Sequence, residues 1–537
     1  MTPTTRTLSA VEFIRCPRYG PGGVCPMVSC SVLFEKSAEP LTSESPKAPA
    51  FFGDLNLDQV VNAITAGKEE YNLKPFFYTP LSSLEAIEYR HEIMRDLENE
   101  VIFGHIKSFE CNMRAMREQL TQAEKLHYGS QKKRWFLEAV EMYCQAITGL
   151  AMDLSCADIR SRGLSLFRDY LRSYVDSDRF IALLSETKKL LFDLSTVKYS
   201  ICIDRRSVKV SRYDNEPDYS AEVEQAFEKF KQDGVKDYTV EFLEWPSMNH
   251  VEAKILDLVS ELYPDLFSRL DDFCTKNIRY ADETVIAFDR EIQFYVAYLE
   301  HIGLLKRAGL KFCYPQISNM CKEVCNYEGF DMALAFKLVN NGAAVVHNDF
   351  TLEGAERIFI VSGPNQGGKT TFARTFGQLH FLGALGCPVP GSKARLFLSD
   401  KLFTHFESEE NIRDLRGKLQ DDLVRIHDIL SRSTSNSIII LNEIFTSTTL
   451  KDASFLSREI LERIIQLDLL CVYVTFIDEL ASLSEKTVSM VSTVTPENPA
   501  IRTFKIIRRP ADGLAYALSI AEKYRLTYGH VKERIKP

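Results

Sequence analysis

Apolar residues recur at helical spacing from about Leu55 to Leu194, where Gly and Pro are scarce, and this period predicts a helical domain. Ahead of it, residues 1–50 carry Pro17, Gly20, Pro21, Gly22 and Gly23 and then the run EPLTSESPKAPA, which has no periodic apolar face and reads as a flexible leader or linker. Inside the helical block, Ser82 followed by Glu85 has the spacing of a capping box just before a helix bearing Ile87, Met94 and Leu97. Over 197–213 the period falls to two: Val197, Tyr199, Ile201 and Ile203 alternate with more polar neighbours, the chain turns near Arg205, and Val208 and Val210 alternate on the return. That pattern predicts a hairpin inserted between helices. Helical spacing resumes near Val251 and runs to about Ala308, with Ile255, Leu258 and Leu262 on one face. From about Phe330 onward, β-rich runs such as Ile358 to Val361, Ile438 to Leu441 and Cys471 to Thr475 alternate with helical segments, the texture of an α/β domain built on a mainly parallel sheet. The expected order is a leader (1–50), helices (51–196), a β-rich hairpin region (197–250), returning helices (251–325) and an α/β domain (326–537).

The 537 residues correspond to three or four domains at about 150 residues each, and 45% hydrophobic with 26% charged residues is the balance of an ordinary globular chain. A net charge of −9 excludes a protein that coats nucleic acid by bulk charge, but leaves room for a local basic patch. The hairpin holds one: Lys198, Arg205, Arg206, Lys209 and Arg212 stand against Asp204, and acids follow at Asp214, Glu216, Asp218, Glu222 and Glu224. Two readings stay open there, a solvated hairpin balanced by its neighbours or a finger laid on a phosphate backbone. No apolar run reaches the length of about 18 residues that spans a membrane, and no secretory pattern opens the chain, so a cytoplasmic protein without a membrane partner is expected. In that compartment the 13 cysteines are expected as thiols, the incomplete groups Cys313/Cys321/Cys325 and Cys16/Cys25/Cys30 included.

Gly363-Pro364-Asn365-Gln366-Gly367-Gly368-Lys369-Thr370 fits G-x-x-x-x-G-K-[ST] without a mismatch, fed by the apolar run Ile358 to Val361 and followed by a helical pattern from Thr371 to Leu385. Glycines let backbone N–H groups turn inward around phosphate oxygens, and the helix presents the positive end of its dipole. Lys369 then carries charge to the β- and γ-phosphates, and the Thr370 hydroxyl is placed for Mg²⁺. Ser437 to Glu443 (SIIILNE) supplies a buried strand ending in a carboxylate, which makes Glu443 the candidate base or water-orienting group. Asn442 stands where such sites usually carry aspartate; its amide can hold Mg²⁺ through a water but brings no charge. ATP and Mg²⁺ are the expected cofactors.

These residues resemble the MutS family of DNA mismatch-repair ATPases, whose loop reads GPNMGGKS. His347-Asn348-Asp349-Phe350 is similar to the family's Asn-containing segment leading into the first ATPase strand, which adds Asn348 to the nucleotide-site candidates, and Thr371, directly after the loop, is counted with them. FLGALGCPVP (Phe381 to Pro390), Asp400 to Thr404, Asn442 to Ala453 and Gly513 to Ala517 resemble further family segments, so the likeness covers about residues 330–537. Over 55–320 it is architectural only. The resemblance implies a helical lever with an inserted clamp-like tip, followed by a P-loop ATPase domain of ABC type with C-terminal dimerisation helices. It further implies a homodimer through the ATPase domain, with DNA as partner.

Departures from the family pattern fall on groups that would contact the nucleotide, at the γ-phosphate and at the base. Phe476 stands where the family has histidine in Thr-His-Tyr-His-Glu-Leu, Gly417 to Asp421 replaces a serine-bearing segment, and Val345 lies near the place of an adenine-stacking aromatic. Binding is therefore expected to outlast catalysis, giving a slow ATPase. Leu33-Phe34-Glu35 does not supply the family's mismatch wedge, so DNA contact is expected to be phosphate-directed and salt-sensitive. A second class of function is kept: a nucleotide-stabilised scaffold dimer that neither turns over ATP usefully nor binds DNA.

Overall fold

The computed structural model describes residues 30–35, 47–204, 207–217, 219–228, 248–406, 417–495, 498–511 and 526–534. They fall into two compact units, one of Glu100–Ile159 and Leu166–Asp289, the other of the described parts of Tyr19–Asn99, Arg160–Ser165 and Arg290–Pro537. It is a multidomain protein with a helical part and an α/β part.

The first unit is built on the helices Glu100–Lys125 and Gly129–Cys156, joined by three residues and hence antiparallel neighbours. Ile102, Ile106, Phe109, Met113, Met116, Leu120 and Ala123 bury one side of the first. Phe136, Val140, Tyr143, Ile147, Leu150 and Leu154 bury one side of the second. Both rows alternate steps of four and three, the seam that lets two helices interlock along their length. Ser177 caps Asp178–Ser195 by accepting from Phe180 N, and Asn249 with Glu252 closes a full capping box on His250–Leu262. Between them lies the hairpin, Tyr199–Asp204 paired antiparallel with Ser207–Arg212 in the register Tyr199↔Arg212 to Asp204↔Ser207.

In the second unit, the helix expected after Ser82 begins at Leu84, with Ser83 as N-cap and no side-chain cap bond. Glu85 is then the second helical residue, one place short of the position that can reach back to the cap. Residues 30–35, inside the stretch read as a leader, are docked: Val32 and Leu33 are buried, and Glu291 accepts from Ser31 Oγ at 2.7 Å and Val32 N at 2.9 Å. The stretch expected as returning helices ends in short strands, Phe312–Cys313 and Gln316–Ser318, which are too brief to show an alternating pattern.

The core of this unit is a six-stranded sheet in the order Leu402–Phe406, Ile438–Asn442, Leu470–Val474, Ile358–Ser362, Thr487–Thr495, Asn498–Arg508, parallel except for the last pair. Its central strands Ile438–Asn442, Leu470–Val474 and Ile358–Ser362 are buried along their whole length and mostly apolar, as strands covered by helices on both faces must be. Ile426 and Ile429 of Lys418–Arg432 and Ile460, Leu461 and Ile464 of Leu450–Leu467 pack on one face with Ile358, Ile439, Leu441 and Tyr473. Phe372 and Phe376 of Lys369–Ala384 meet Phe359 and Phe350 on the other. Gly377 lets that helix come close, since a Cβ there would collide with Leu55 and Ile440. Asp54 fastens the neighbouring segment: its carbonyl accepts from Arg374 Nε at 2.8 Å, and its carboxylate accepts from Thr404 Oγ1 at 2.5 Å and Arg425 Nη2 at 3.2 Å. A four-stranded sheet of Gln316–Ser318, Lys393–Phe397, Val324–Gly329 and Asn348–Leu352 completes the unit. Cys313, Cys321 and Cys325 are free thiols, and among the described residues no cluster of metal-ligating side chains gathers. Among the described residues no helix is long and apolar enough to cross a membrane.

Candidate nucleotide-binding site

Ile358–Ser362 is buried throughout and delivers the chain to the carboxyl edge of the sheet, where it turns into the glycine loop. Gly363 (φ +117°), Gln366 (φ +59°) and Gly368 (φ +92°) take left-handed backbone, and Lys369–Ala384 starts directly after. Two of the glycines are required for a second reason: a Cβ on Gly363 would lie about 3.0 Å from the Ser492 backbone, and one on Gly367 would strike the Ser492 hydroxyl. Ser492, fully buried, is the floor of the loop and donates to Gly367 O at 2.7 Å. This turns the carbonyl down and leaves the N–H groups on the side of the helix N-terminus, where an anion is favoured.

Lys369 is folded back over the loop. Its ammonium donates to Gly363 O at 2.9 Å and reaches Pro364 O and Asn365 Oδ1, each at 3.4 Å. Glu443 Oε1 is 3.5 Å away, and the Phe476 ring lies 4.3 Å from the same nitrogen. Burial holds this lysine below its ordinary range, with Glu443 opposing the shift. Thr370 Oγ1 donates to Asn442 Oδ1 at 2.9 Å. Glu443 follows at φ +52° with its N–H bonded to Val474 O, and Phe445 is also left-handed at φ +61°. Two such residues close together are the kind of stored strain that collects at working sites. A neutral hydroxyl and an amide oxygen at this spacing are oxygen donors of the kind that a hard, partly hydrated cation such as Mg²⁺ takes.

The fold brings together Gly363 to Thr371, Asn442 and Glu443. Asn348 is placed differently from a direct loop contact. Its amide donates to Phe504 O at 3.1 Å and accepts from Ile506 N at 2.8 Å, tying its strand to the sheet edge. Phe504, half exposed and at φ +58°, lies beside Gly368, so Asn348 touches the site through it. Ser492 and Phe504 escape sequence reasoning because more than a hundred residues separate them from the loop, and Ser492 is one of several hydroxyl residues in its strand.

Of the hairpin cations in the other unit, Lys198 and Lys209 are exposed. Arg212 is committed locally: Nε and Nη2 donate to Leu262 O at 3.1 and 2.5 Å, and the guanidinium lies 5.0 Å from the Tyr263 ring, closing the end of His250–Leu262. Arg205 and Arg206 lie outside the described residues, as does the segment Gly513 to Ala517.

A strand, glycine loop and helix at the carboxyl edge of a parallel sheet covered on both faces define the second unit as a doubly wound α/β domain. The family model for MutS domain V matches residues 359–531. The DNA mismatch repair protein MutS of Zymomonas mobilis is 32% identical over 150 residues, 28% of this chain and 17% of that protein. The DNA mismatch repair protein MutS of Orientia tsutsugamushi is 26% identical over 216 residues, 39% of this chain and 24% of the other. Endonuclease MutS2 of Gemmatimonas aurantiaca is 28% identical over 193 residues, 35% of this chain and 23% of the other. The matched segment thus spans less than a quarter of each relative's length. Over residues 359–531 the chain is thus similar to domain V of the MutS family.

Proposed function

We propose that the protein is a MutS-like, ATP-dependent DNA-binding protein of the repair family, in which ATP is bound firmly and hydrolysed slowly. The observation that carries this reading is the meeting of Lys369, Thr370, Asn442 and Glu443 at one loop, with Thr370 Oγ1 and Asn442 Oδ1 2.9 Å apart. Gly363 to Thr371 cradle the phosphates, and Lys369 gives up its internal carbonyls for the β- and γ-oxygens. Thr370 and Asn442 hold Mg²⁺ in this reading, and the ion, when bound, neutralises charge on the phosphates. Glu443 orients or deprotonates the attacking water. Phe504, half exposed beside Gly368, offers a ring for the base, with Asn348 fixing the strand that carries it. Self-association through this domain is supported by the exposed apolar side chains of Leu450, Phe455 and Phe476. DNA contact is assigned to the exposed Lys198 and Lys209 of the hairpin and, from the sequence, Arg205 and Arg206.

The second reading, a nucleotide-stabilised scaffold dimer, is favoured by one feature: the uncharged Asn442 and Phe476 stand beside the loop in place of groups that stabilise charge. One pair of measurements tests both. Equilibrium dialysis with ATP is expected to show binding that Lys369→Ala abolishes, and unchanged affinity in that variant removes the assignment. ATP turnover with and without duplex or branched DNA then separates the readings, since a scaffold shows neither stimulation nor a salt-dependent mobility shift.

A further inference from the structure

We propose that Arg502 is a second phosphate-contacting cation of this site, supplied in cis from the edge strand, which binds the terminal phosphates of a nucleoside triphosphate together with Lys369. The inference rests on the nucleotide reading above and adds a group that the loop motif does not contain. Asn498–Arg508 pairs antiparallel with Thr487–Thr495, but the register shifts between Ser492 and Val494 and again between Val494 and Thr495. Together with the left-handed Phe504, these irregularities re-aim the edge strand toward the loop. Phe504 backbone atoms come within 3.6 to 3.8 Å of the position of a Gly368 Cβ, and Arg502 Nε donates to Asn365 O at 3.2 Å.

Asn365 is consequently held between two cations, its side-chain oxygen 3.4 Å from Lys369 Nζ and its carbonyl 3.2 Å from Arg502 Nε. Guanidinium donors form one planar fork, so anchoring Nε keeps the remaining donors beside the same turn of chain. Like charges brought together at a turn of inward-facing amides are relieved by a polyanion. The site also has a deficit that such a group would fill. Asn442 brings no negative charge for Mg²⁺, so neutralisation of the terminal phosphates falls more heavily on protein cations. The consequence is a nucleotide site whose affinity depends on triphosphate length more than on the metal.

The test is calorimetric titration of the full chain with ATP, ADP and AMP, in excess EDTA and again with Mg²⁺, for the parent, Arg502→Ala, Arg502→Gln, Arg502→Lys and Lys369→Ala. In EDTA, Arg502→Ala and Arg502→Gln are expected to lose about tenfold in ATP affinity, with AMP affinity little changed and Arg502→Lys largely retained. Gln keeps a donor for Asn365 O without the charge, so a group that merely steadies the loop would be rescued by it. Parent-like ATP binding by Arg502→Gln in EDTA, where Lys369→Ala has lost binding, overturns the inference and spares the phosphate loop. Absence of nucleotide binding by the parent, or parent-like binding by Lys369→Ala, overturns the loop reading and the Arg502 inference with it. Thermal unfolding without nucleotide, unchanged in the Gln and Lys variants, assigns the loss to the site rather than to folding.

Discussion

Thr370 donates its hydroxyl hydrogen to the side-chain oxygen of Asn442 across 2.9 Å, joining the first turn of the loop helix to the end of the strand Ile438–Asn442. A carboxylate in place of the amide would accept the same bond and add a charge. Asn442→Asp is therefore expected to raise Mg²⁺ affinity by about tenfold and Mg²⁺-dependent ATP turnover with it. Equal or lower turnover, measured by phosphate release, would show that the amide is not what limits the site.

Glu443 sits 3.5 Å from Lys369 Nζ on left-handed backbone, and glutamine preserves its shape while removing its basicity. In Glu443→Gln, ATP affinity should stay within about threefold while turnover falls by about 10²-fold or more. Single-turnover kinetics with parent-like rates would take the catalytic role away from this residue.

Gly367 is a glycine because of Ser492. In Gly367→Ala the new methyl group meets the Ser492 hydroxyl and lies 2.9 Å from Pro364 O, so the loop must distort. ATP affinity should drop at least about tenfold, and adding Ser492→Gly should return part of it. A double variant no better than the single one would mean that Pro364, not Ser492, sets the loop.

Burial holds His301 and His380 down at about 4, and His380 in addition bonds Phe376 O at 2.8 Å. Each folded value lies below the unfolded value of about 6.5, so between the two the unfolded chain binds more protons. Their contribution is present above about pH 6.5 and is lost as the pH falls toward 4, on the order of 3 kcal/mol at most for His380. Urea unfolding of His380→Gln over that range should show a flatter pH dependence than the parent; an identical slope would contradict the buried, neutral imidazole.

For the hairpin, replacing the exposed Lys198 and Lys209 with alanine should lower the slope of log affinity against log salt on duplex DNA by about 2. Arg212→Ala should leave that slope alone and instead loosen the hairpin, because its guanidinium is spent on Leu262 O. A slope that responds to Arg212 but not to the lysines would reverse this assignment.

What could be read from the chain in advance follows from the range of the interactions involved. The loop from Gly363 to Thr370 was legible because its chemistry is contiguous, and the hairpin because Ile201, Ile203, Val208 and Val210 alternate within a dozen residues. The α/β texture after Phe330 was legible from apolar runs long enough to fill a two-sided core. The floor at Ser492, the Phe504 backbone beside Gly368 and the Arg502 bond to Asn365 were not, since each depends on the sheet order that brings distant strands side by side. The same holds for Asn348, whose partners lie on the edge strand, and for Arg212, whose charge is redirected by a helix end fifty residues away. The Ser82 cap failed for a subtler reason, a helix start displaced by one residue.

Asp54 gives the helix behind the loop a mechanical connection. Because it grips Arg374 with its carbonyl and Thr404 and Arg425 with its carboxylate, a tilt of that helix pulls on two further elements at once. The short stretch around Phe52 to Leu57, well ahead of the loop in the chain, is thereby fastened at a single residue to the helix that starts at the loop and to the elements that carry Thr404 and Arg425.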